Sequence, residues 1–498
     1  MNWLAKHILF FHIAALIIAL GWIHGGTRPD WLLPVVPWMA LAILQWFLLC
    51  PQPKKEEFLL ESRQRIWSAV MRDPLTYVSL VFTVRLMIPF FNIAQEPMLN
   101  ESTQQWQFFA PPVKWLPFTT DIRRHGIVLL WFIPAMITVL SVKHGLLKRA
   151  KRILLEVICW NGAALALLGF MQLALKATSI MGLTPLEGYF FSVFGYVNVG
   201  AAFFTLIGAL SFGLWLQQAA EDANLAAIST LDADEIQPKF VTHRMSIPMV
   251  LCFAGAIATL SRAAIVLCAL LFVFFLVYGL AYIWKRISLG LRISILSGLS
   301  ALVFSMVVLF FALKLEGLKA ELATITPSAV IERVMGTGQN HVSVSKKILA
   351  DYPIFGLGGW GYPVYQQAYM TPEEQKTMQI VGGSNVHNDM LQFMIEHGYV
   401  GFGLMMAFVL LLVIPLTKEI IQFCRFKTSE TKRSWIQAIG HWFYRIPPVA
   451  IAVFAGTTAT LLHSFGDLPF RSPAILVVWL VSFVCVSGWI PVMKKTRA

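Results

Sequence analysis

Charge is what this sequence has least of for its length. Asp, Glu, Lys and Arg make up only 13% of its 498 residues, whereas soluble domains carry about 25%. Apolar residues reach 57%, and the mean hydropathy is +0.68. A chain of this size with so few charges is not an ordinary water-soluble protein. The composition indicates an integral membrane protein.

Cysteine is also scarce and shows no pattern. None of the six cysteines stands in a C-x-x-C spacing, and none falls in a segment expected outside the membrane on the external side. Neither a disulfide framework nor a zinc site is therefore indicated. The external loops also contain no clustered Asp, Glu and His at ligand spacing, so we expect no metal and no cofactor.

Long apolar runs recur along the whole chain, each near the ~20 residues that a helix needs to cross a bilayer. The sequence therefore predicts an all-α integral membrane protein with about 12 transmembrane helices. The first run is followed by Gly-Trp-Ile-His-Gly-Gly rather than a signal-cleavage site, so we expect a retained anchor. The predicted spans are 8–23, 31–50, 75–93, 126–142, 153–175, 194–216, 246–260, 263–284, 293–313, 390–416, 447–462 and 473–492.

The distribution of Lys and Arg predicts the orientation. Alternate segments between the spans hold 25 of the 39 basic residues, and short cytoplasmic loops are the ones that carry such an excess. Both termini are therefore expected in the cytoplasm. The net charge of +13 is spread over helix ends, which fits contact with membrane lipid and gives no reason to expect nucleic acid.

This topology divides the chain into three parts. Residues 1–313 hold nine helices and a shorter external loop at about 94–125, whose aromatic residues are typical of an interfacial belt or of a sugar-stacking surface. Residues 314–389 form a long, partly helical external loop, and 390–498 hold the last three helices. Long loops of this kind usually carry function, so the external face is the expected functional surface.

The most informative segment is 384–401, where the long loop enters a span. Ser384 or Asn385 is expected to cap the new helix, and its first-turn N–H groups would then favour an anion. His387 would lie at this helix mouth, where a neutral imidazole can take a proton from a hydroxyl. On its own, the histidine could equally be an ordinary interfacial residue.

Further candidates are polar residues inside apolar surroundings. Asp389, Gln392 and Glu396 share one helix face, as expected for a cavity wall or for a hydrogen-bonded seam between helices. Arg262 lies between two apolar runs, and Arg333 lies in the long loop. A guanidinium group matches phosphate oxygens well, although either arginine could instead serve at an interface or in a surface ion pair.

Two tempting patterns are set aside. Gly356, Gly358 and Gly361 satisfy G-x-G-x-x-G without a surrounding βαβ unit, so they are interpreted as turn glycines. Asp232 and Asp234 form an Asp-x-Asp pair, but their short loop cannot house a nucleotide-binding domain.

Taken together, several motifs resemble the O-antigen ligase and polymerase superfamily of bacterial membrane glycosyltransferases. His387-Asn388, nine residues, then Gly398-x-x-Gly401 is similar to the ligase signature. The similarity covers about residues 171–479. Its other motifs are Gly195-Tyr196-Val197-Asn198, Thr259-Leu260-Ser261-Arg262-Ala263, Asp351-Tyr352-Pro353-Ile354-Phe355-Gly356-Leu357-Gly358 and His463-Ser464-Phe465-Gly466-Asp467. Many relatives carry an arginine and a tryptophan where this chain has Gln339-Asn340-His341-Val342-Ser343.

The resemblance implies metal-independent, inverting transfer of a glycan from undecaprenyl diphosphate to an acceptor hydroxyl. It places the site at the periplasmic face of the bacterial inner membrane. His387 carries over as the general base, and Arg262 and Arg333 as the cations that bind the donor diphosphate. The supporting residues implied by the motifs are Asn388, Asp389, Asn198, His463 and Asp467.

The acceptor and the class of activity stay open at this point. Lipid A-core would make the protein an O-antigen ligase, another glycan chain a polysaccharide polymerase, and a protein serine an O-oligosaccharyltransferase. The His-Asn signature favours the ligase. A transporter or flippase for a lipid-linked glycan is the alternative from another class, for which Arg85, inside the third predicted span, is the one mid-membrane cation.

Overall fold

The computed structural model describes ten stretches of the chain. The ninth predicted span, Arg333 and the Asp232-Asp234 pair lie outside them. The described residues are 3–27, 32, 34–50, 57–185, 188–228, 244–286, 341–371, 374–375, 385–431 and 446–487.

The described part is mostly helical. The helices are α1 Trp3–Trp22, α2 Val36–Leu49, α3 Leu59–Arg72, α4 Pro74–Met87, α5 Ile122–Leu140, α6 Lys148–Ala174, α7 Val197–Ile228, α8 Ser246–Ala258, α9 Arg262–Arg286, α10 His341–Asp351, α11 Tyr362–Tyr365, α12 Asp389–Thr431, α13 Pro448–His463 and α14 Pro473–Val486. Two small antiparallel hairpins interrupt the all-α pattern. Their strands are β1 Met98–Asn100 with β2 Gln105–Gln107, and β3 Ser179–Ile180 with β4 Thr184–Pro185.

Each predicted span within the described residues coincides with an apolar helix. Six are long and apolar enough to cross a membrane, namely Pro74–Phe91, Ile122–Gly145, Lys148–Ala174, Val197–Ala219, Arg262–Tyr282 and Asp389–Gln422. Five shorter apolar helices account for the first, second, seventh, eleventh and twelfth runs. The prediction of a helical membrane protein is confirmed at this level, while the number of 12 spans and their orientation remain predictions.

Two helices form the centre of the bundle. The most apolar 18-residue stretch of α7, within Val197–Ala219, is wholly buried, and so is every residue of α14. Helix α7 packs mainly on α8 and α13, and α14 packs on α5 and α6. A helix that is apolar all round belongs inside a bundle, because it has no face to offer to water.

The helix ends gather at two opposite ends of the bundle. At one end, Asp73 pairs with Lys143 at 2.6 Å and with His144 at 2.7 Å, and Arg152 pairs with Glu221 at 2.8 Å. We call this the basic end. Helix α3, which the sequence did not predict, also lies at this end and exposes Leu60, Trp67 and Met71.

The other end carries the described part of the long loop, mainly residues 341–371, and is here called the site end. Ser472, which caps α14, donates a hydrogen bond to the Gly25 carbonyl just beyond α1. His125 near the start of α5 donates through Nε2 to the Leu86 carbonyl in α4 and accepts through Nδ1 from the Gly359 N–H. Loop 351–361 is therefore fixed on the helix bundle rather than extended away from it.

Candidate active site

His387 lies in the turn that leads into α12. Its backbone φ is +54° and its side chain is 29% exposed. A left-handed conformation costs a residue other than glycine roughly 1–2 kcal/mol, so the surrounding contacts must hold this turn in place. His387 thus lies at the start of the helix, as the sequence predicts.

The capping of α12 differs from the prediction. Asn388, directly before the helix, accepts a hydrogen bond from Leu391 N–H at 3.0 Å and is the N-cap. Asn385 instead accepts from the Gln392 amide at 3.1 Å. The prediction of a cap at Ser384 or Asn385 is wrong, because a cap must lie next to the first helical residue and α12 begins at Asp389.

Two N–H groups at the N-terminus of α12 are already bonded within the protein. The Asp389 N–H donates to the carbonyls of Ser464 at 2.9 Å and Asp467 at 3.2 Å, and Leu391 N–H is capped by Asn388. The Asp389 carboxyl group occupies the positive end of the helix dipole. The prediction that this helix end binds an anion stays a prediction, and these two N–H groups do not contribute to it.

A buried carboxylate faces His387. The Nδ1 atom of His387 lies 3.8 Å from Oδ1 of Asp467, which is only 3% exposed. Asp467 accepts hydrogen bonds from the Tyr196 hydroxyl at 2.6 Å, from Leu468 N–H at 2.9 Å and from the Asn198 amide. The motifs around Asn198 and Asp467 therefore converge on His387, although more than 260 residues separate them in sequence.

This arrangement suits a general base. A carboxylate beside Nδ1 favours the tautomer that carries its proton there, which leaves Nε2 free to accept a proton. When Nε2 takes that proton, the negative charge of Asp467 stabilises the resulting imidazolium. Tyr196 and Asn198 hold the carboxylate in position for this role.

The predicted polar stripe is an interior network. Glu396 accepts from Arg471 at 2.7 Å and from Gln392 at 3.0 Å, and the Asp389 carboxylate accepts from Phe470 N–H at 2.7 Å. All three stripe residues are buried. They join α12 to the turn that precedes α14 as a hydrogen-bonded seam, and Asp389 and Glu396 also line a cavity, so the structure shows both of the arrangements that the sequence left open.

Arg471 is a residue that the sequence analysis missed. Besides its bond to Glu396, it lies 4.0 Å from the Asp389 carboxylate and packs over the Trp360 and Trp131 rings at 4.5 and 5.7 Å. The signal available in the sequence was an arginine within an apolar stretch, four residues after Asp467. The bond to Glu396 compensates the charge of Arg471 inside the protein.

A cavity of about 130 Å³ lies beside this network, between α5, α12, α13 and α14. Asp389, Glu396 and Arg471 provide its polar wall, and the rest of the lining is largely apolar, including Phe393, Met405 and Leu480.

The glycine motif of α12 has a direct structural cause. Gly398 breaks the helix with φ +63° and ψ −178°, and Tyr399 N–H and Val400 N–H then donate to the Pro353 and Ile354 carbonyls at 2.8 and 3.1 Å. A Cβ atom at Gly398 would lie 2.2 Å from the Ile354 carbonyl oxygen. Two motifs of the resemblance, distant in sequence, are thus packed backbone to backbone.

Arg85 fastens the same junction. Its guanidinium donates to the carbonyls of Phe355 and His397, both at 2.7 Å, and lies 2.9 Å from Nδ1 of His397. The contacts of Arg85 are with the loop and the helix break at the site end, and its depth in the membrane stays a prediction. Arg85 has a positioning role at this junction.

Of the three remaining candidates, the structure describes Arg262 and His463 but not Arg333. Arg262 is exposed and begins α9, which runs parallel to α7, as the pairings of Cys268 with Thr205 and of Phe275 with Phe212 show. It therefore lies at the site end, as Asn198 does. His463 is buried and ends α13. Arg333 lies outside the described residues.

The turn glycines are confirmed at two positions, since Gly356 and Gly358 have φ of +68° and +82°. A Cβ at Gly356 would lie 2.4 Å from the Ile395 carbonyl oxygen. Within the described stretches, no three His, Cys, Asp or Glu side chains are grouped so that they could hold a metal ion.

A scan against protein-family models found no match to this chain, and a search of curated proteins found none either.

Proposed function

We propose that this protein transfers a glycan from undecaprenyl diphosphate to an acceptor hydroxyl, without a metal and with inversion, at the periplasmic face of the bacterial inner membrane. O-antigen ligation to lipid A-core is the favoured reaction. The observation that carries the proposal is the partly exposed His387 beside the buried Asp467 at the site end of an apolar helical bundle.

Each side chain of the site has one role in the proposed reaction. Nε2 of His387 takes the proton of the acceptor hydroxyl, whose oxygen forms a bond to the anomeric carbon of the donor sugar. The bond from that carbon to the diphosphate breaks, and its electron pair leaves with undecaprenyl diphosphate. Asp467 stabilises the imidazolium, and Arg262, with Arg333 as the second candidate, binds the departing diphosphate.

The charges of the leaving group and of the arginines support this division of roles. The leaving group is a multiply charged anion, and Arg471 and Arg85 are already engaged with protein acceptors. Arg262 is an exposed cation at the site end and belongs to one of the motifs of the resemblance, so we assign it to the incoming phosphate group. The clustering of candidate groups at one end of the bundle favours chemistry there over transport through the middle.

The test is transfer by the purified protein in nanodiscs. The donor is an undecaprenyl diphosphate glycan, and lipid A-core, a free glycan chain and a serine peptide are offered as separate acceptors. Mass spectrometry identifies the product and hence the branch of the family. Excess chelator should leave the rate unchanged, and a loss restored by magnesium or manganese would contradict the metal-independent mechanism.

The matched variants are His387→Ala and, in the external hairpin, Gln104→Ala. Loss of a general base typically costs a factor of ~10²–10⁴ in rate, so His387→Ala should retain donor binding and lose turnover, while Gln104→Ala should behave like the parent. Near-normal turnover of His387→Ala would remove the histidine from the mechanism. Movement of donor across the bilayer without any glycosylated product would support the transporter instead.

A further inference from the structure

A second imidazole lies directly beside His387. His341 is the first residue of α10 and is 1% exposed, and its ring centroid lies 6.1 Å from that of His387 with the ring planes at 62°. The position of α10 is well fixed, because Val344 and Ile348 belong to a buried cluster that also contains Ile395 of α12. The edge-to-face contact between the two rings is therefore held by the packing of a helix and not by two loops alone.

Tyr362 holds His341 in place. The Tyr362 hydroxyl lies 2.9 Å from Nδ1 of His341, within hydrogen-bond distance. Burial raises the pKa of the Tyr362 phenol, so this hydroxyl keeps its proton. Burial, with a smaller contribution from His387, lowers the pKa of His341 to about 4. His341 is therefore neutral near pH 7.

Asp467 alone does not fix the His387 ring. Its oxygen is 3.8 Å from Nδ1, which is too long for a hydrogen bond, and Nδ1 has no other hydrogen-bond partner among the described residues. A side chain that is also 29% exposed needs packing on a ring face to stay in one orientation. Of the described rings, His341 provides that contact.

We propose that His341 is a positioning residue for His387, which holds the imidazole with Nδ1 towards Asp467 and, being neutral, does not oppose the imidazolium that transfer creates. The inference depends on the proposed function for its kinetic consequence but not for its structural content. Among the described residues, Asp467 lies opposite His387 and Tyr362 lies opposite His341. Asp389, the nearest other carboxylate along the chain, is directed to Phe470 N–H.

Three variants separate the parts of this role. His341→Ala removes the ring, His341→Phe keeps a ring without the Tyr362 bond, and Tyr362→Phe removes the hydroxyl while keeping both histidines. His12→Ala, in α1, is the matched histidine control. A misplacement of about 1 Å can cost roughly 100-fold in rate, so His341→Ala should lower kcat by roughly 10- to 100-fold with little change in KM for the donor. His341→Phe should recover much of that loss.

A second measurement keeps the inference testable even if no transfer is observed. In protein labelled with ¹⁵N-histidine, the ring nitrogen signals report the tautomer and motion of each imidazole. His341→Ala should shift and broaden the His387 signals, which are assigned through His387→Gln, whereas His12→Ala should leave them unchanged. Tyr362→Phe should change the signals of His341 first.

The outcomes distinguish the two proposals. Inactive parent protein together with altered His387 signals in His341→Ala would refute the glycan-transfer proposal but support the positioning role. A His341→Ala variant with the kcat of the parent and unchanged His387 signals would overturn the positioning role. A loss confined to KM would overturn it as well, because a group that acts through the base should not change donor affinity.

Discussion

Gly398→Ala is expected to open the junction between α12 and loop 351–361. The added methyl group would require a non-glycine residue at φ +63° and ψ −178°, a region used almost only by glycine, at a cost of about 1–3 kcal/mol. It would also lie 2.2 Å from the Ile354 carbonyl oxygen, which is backbone and cannot rotate away. Separating the two segments breaks the hydrogen bonds of Tyr399 and Val400, worth about 1 kcal/mol each.

The strain destabilises the closed junction by about 1–3 kcal/mol, whereas the two hydrogen bonds oppose its opening in the variant and in the parent alike. Since each 1.4 kcal/mol is a factor of ten, amide hydrogen exchange at Tyr399 and Val400 should accelerate by roughly 5- to 100-fold. Mass spectrometry of peptides from nanodisc samples measures this. Glycan transfer should fall in parallel, because His387 lies one helical segment away from the break.

Gly403→Ala is the matched control on the same helix. A Cβ at Gly403 has no atom within 4 Å, and alanine is the better helix former by up to about 1 kcal/mol. This variant should exchange no faster than the parent. Equal exchange at Tyr399 in Gly398→Ala and in the parent would refute the reasoning, because it would mean that the close backbone contact is not required.

The remaining predictions concern the donor site, the orientation and the basic end. Arg262→Ala should insert normally and lose donor binding. Arg262→Lys should be a poor replacement, because an ammonium group cannot form the paired hydrogen bonds of a guanidinium group. If the alanine variant turns over at the rate of the parent, Arg262 does not belong to the site. A cysteine at Gln375 should be labelled by an impermeant reagent from outside only, and labelling from the cytoplasm alone would overturn the topology. Burial opposes ionisation of Asp73, but the bonds from His144 and Lys143 prevail and hold its pKa well below the usual range. As the pH falls, Asp73 therefore takes up a proton in the unfolded chain before it does so in the folded protein. The contribution of Asp73 to stability should be full above about pH 4 and lost below it. When the unfolding temperature is measured at a series of pH values, Asp73→Asn should show a smaller decrease on the acid side than the parent.

The helices were largely predictable because the bilayer imposes a simple rule. A spanning helix must be apolar over a fixed length, so composition alone located the runs that became α1, α2, α4 to α9 and α12 to α14. The amphipathic helix α3 escaped because its mixed composition does not resemble a span. The β1–β2 hairpin escaped for a related reason, since its pairing depends on a local register that short polar strands encode weakly.

The site was predictable in its residue types but not in its connections. The sequence identified His387, Asn198 and Asp467, and the motifs suggested that they belong together. It could not show that Tyr196 and Asn198 hold Asp467, or that the Asp389 N–H at the start of α12 donates to the turn after α13. Such contacts join segments hundreds of residues apart and leave no local pattern.

By itself, therefore, the sequence determined a helical membrane protein, the places of its apolar helices and the chemical character of one end. The tertiary structure alone decided that Arg85 binds the loop at Phe355, that Arg471 pairs with Glu396, and that His341 packs against His387. The physical reason is the range of the forces involved. Burial of an apolar run depends on composition within about 20 residues, whereas the state of a polar side chain in a low-dielectric interior depends on which partners the fold brings within about 4 Å.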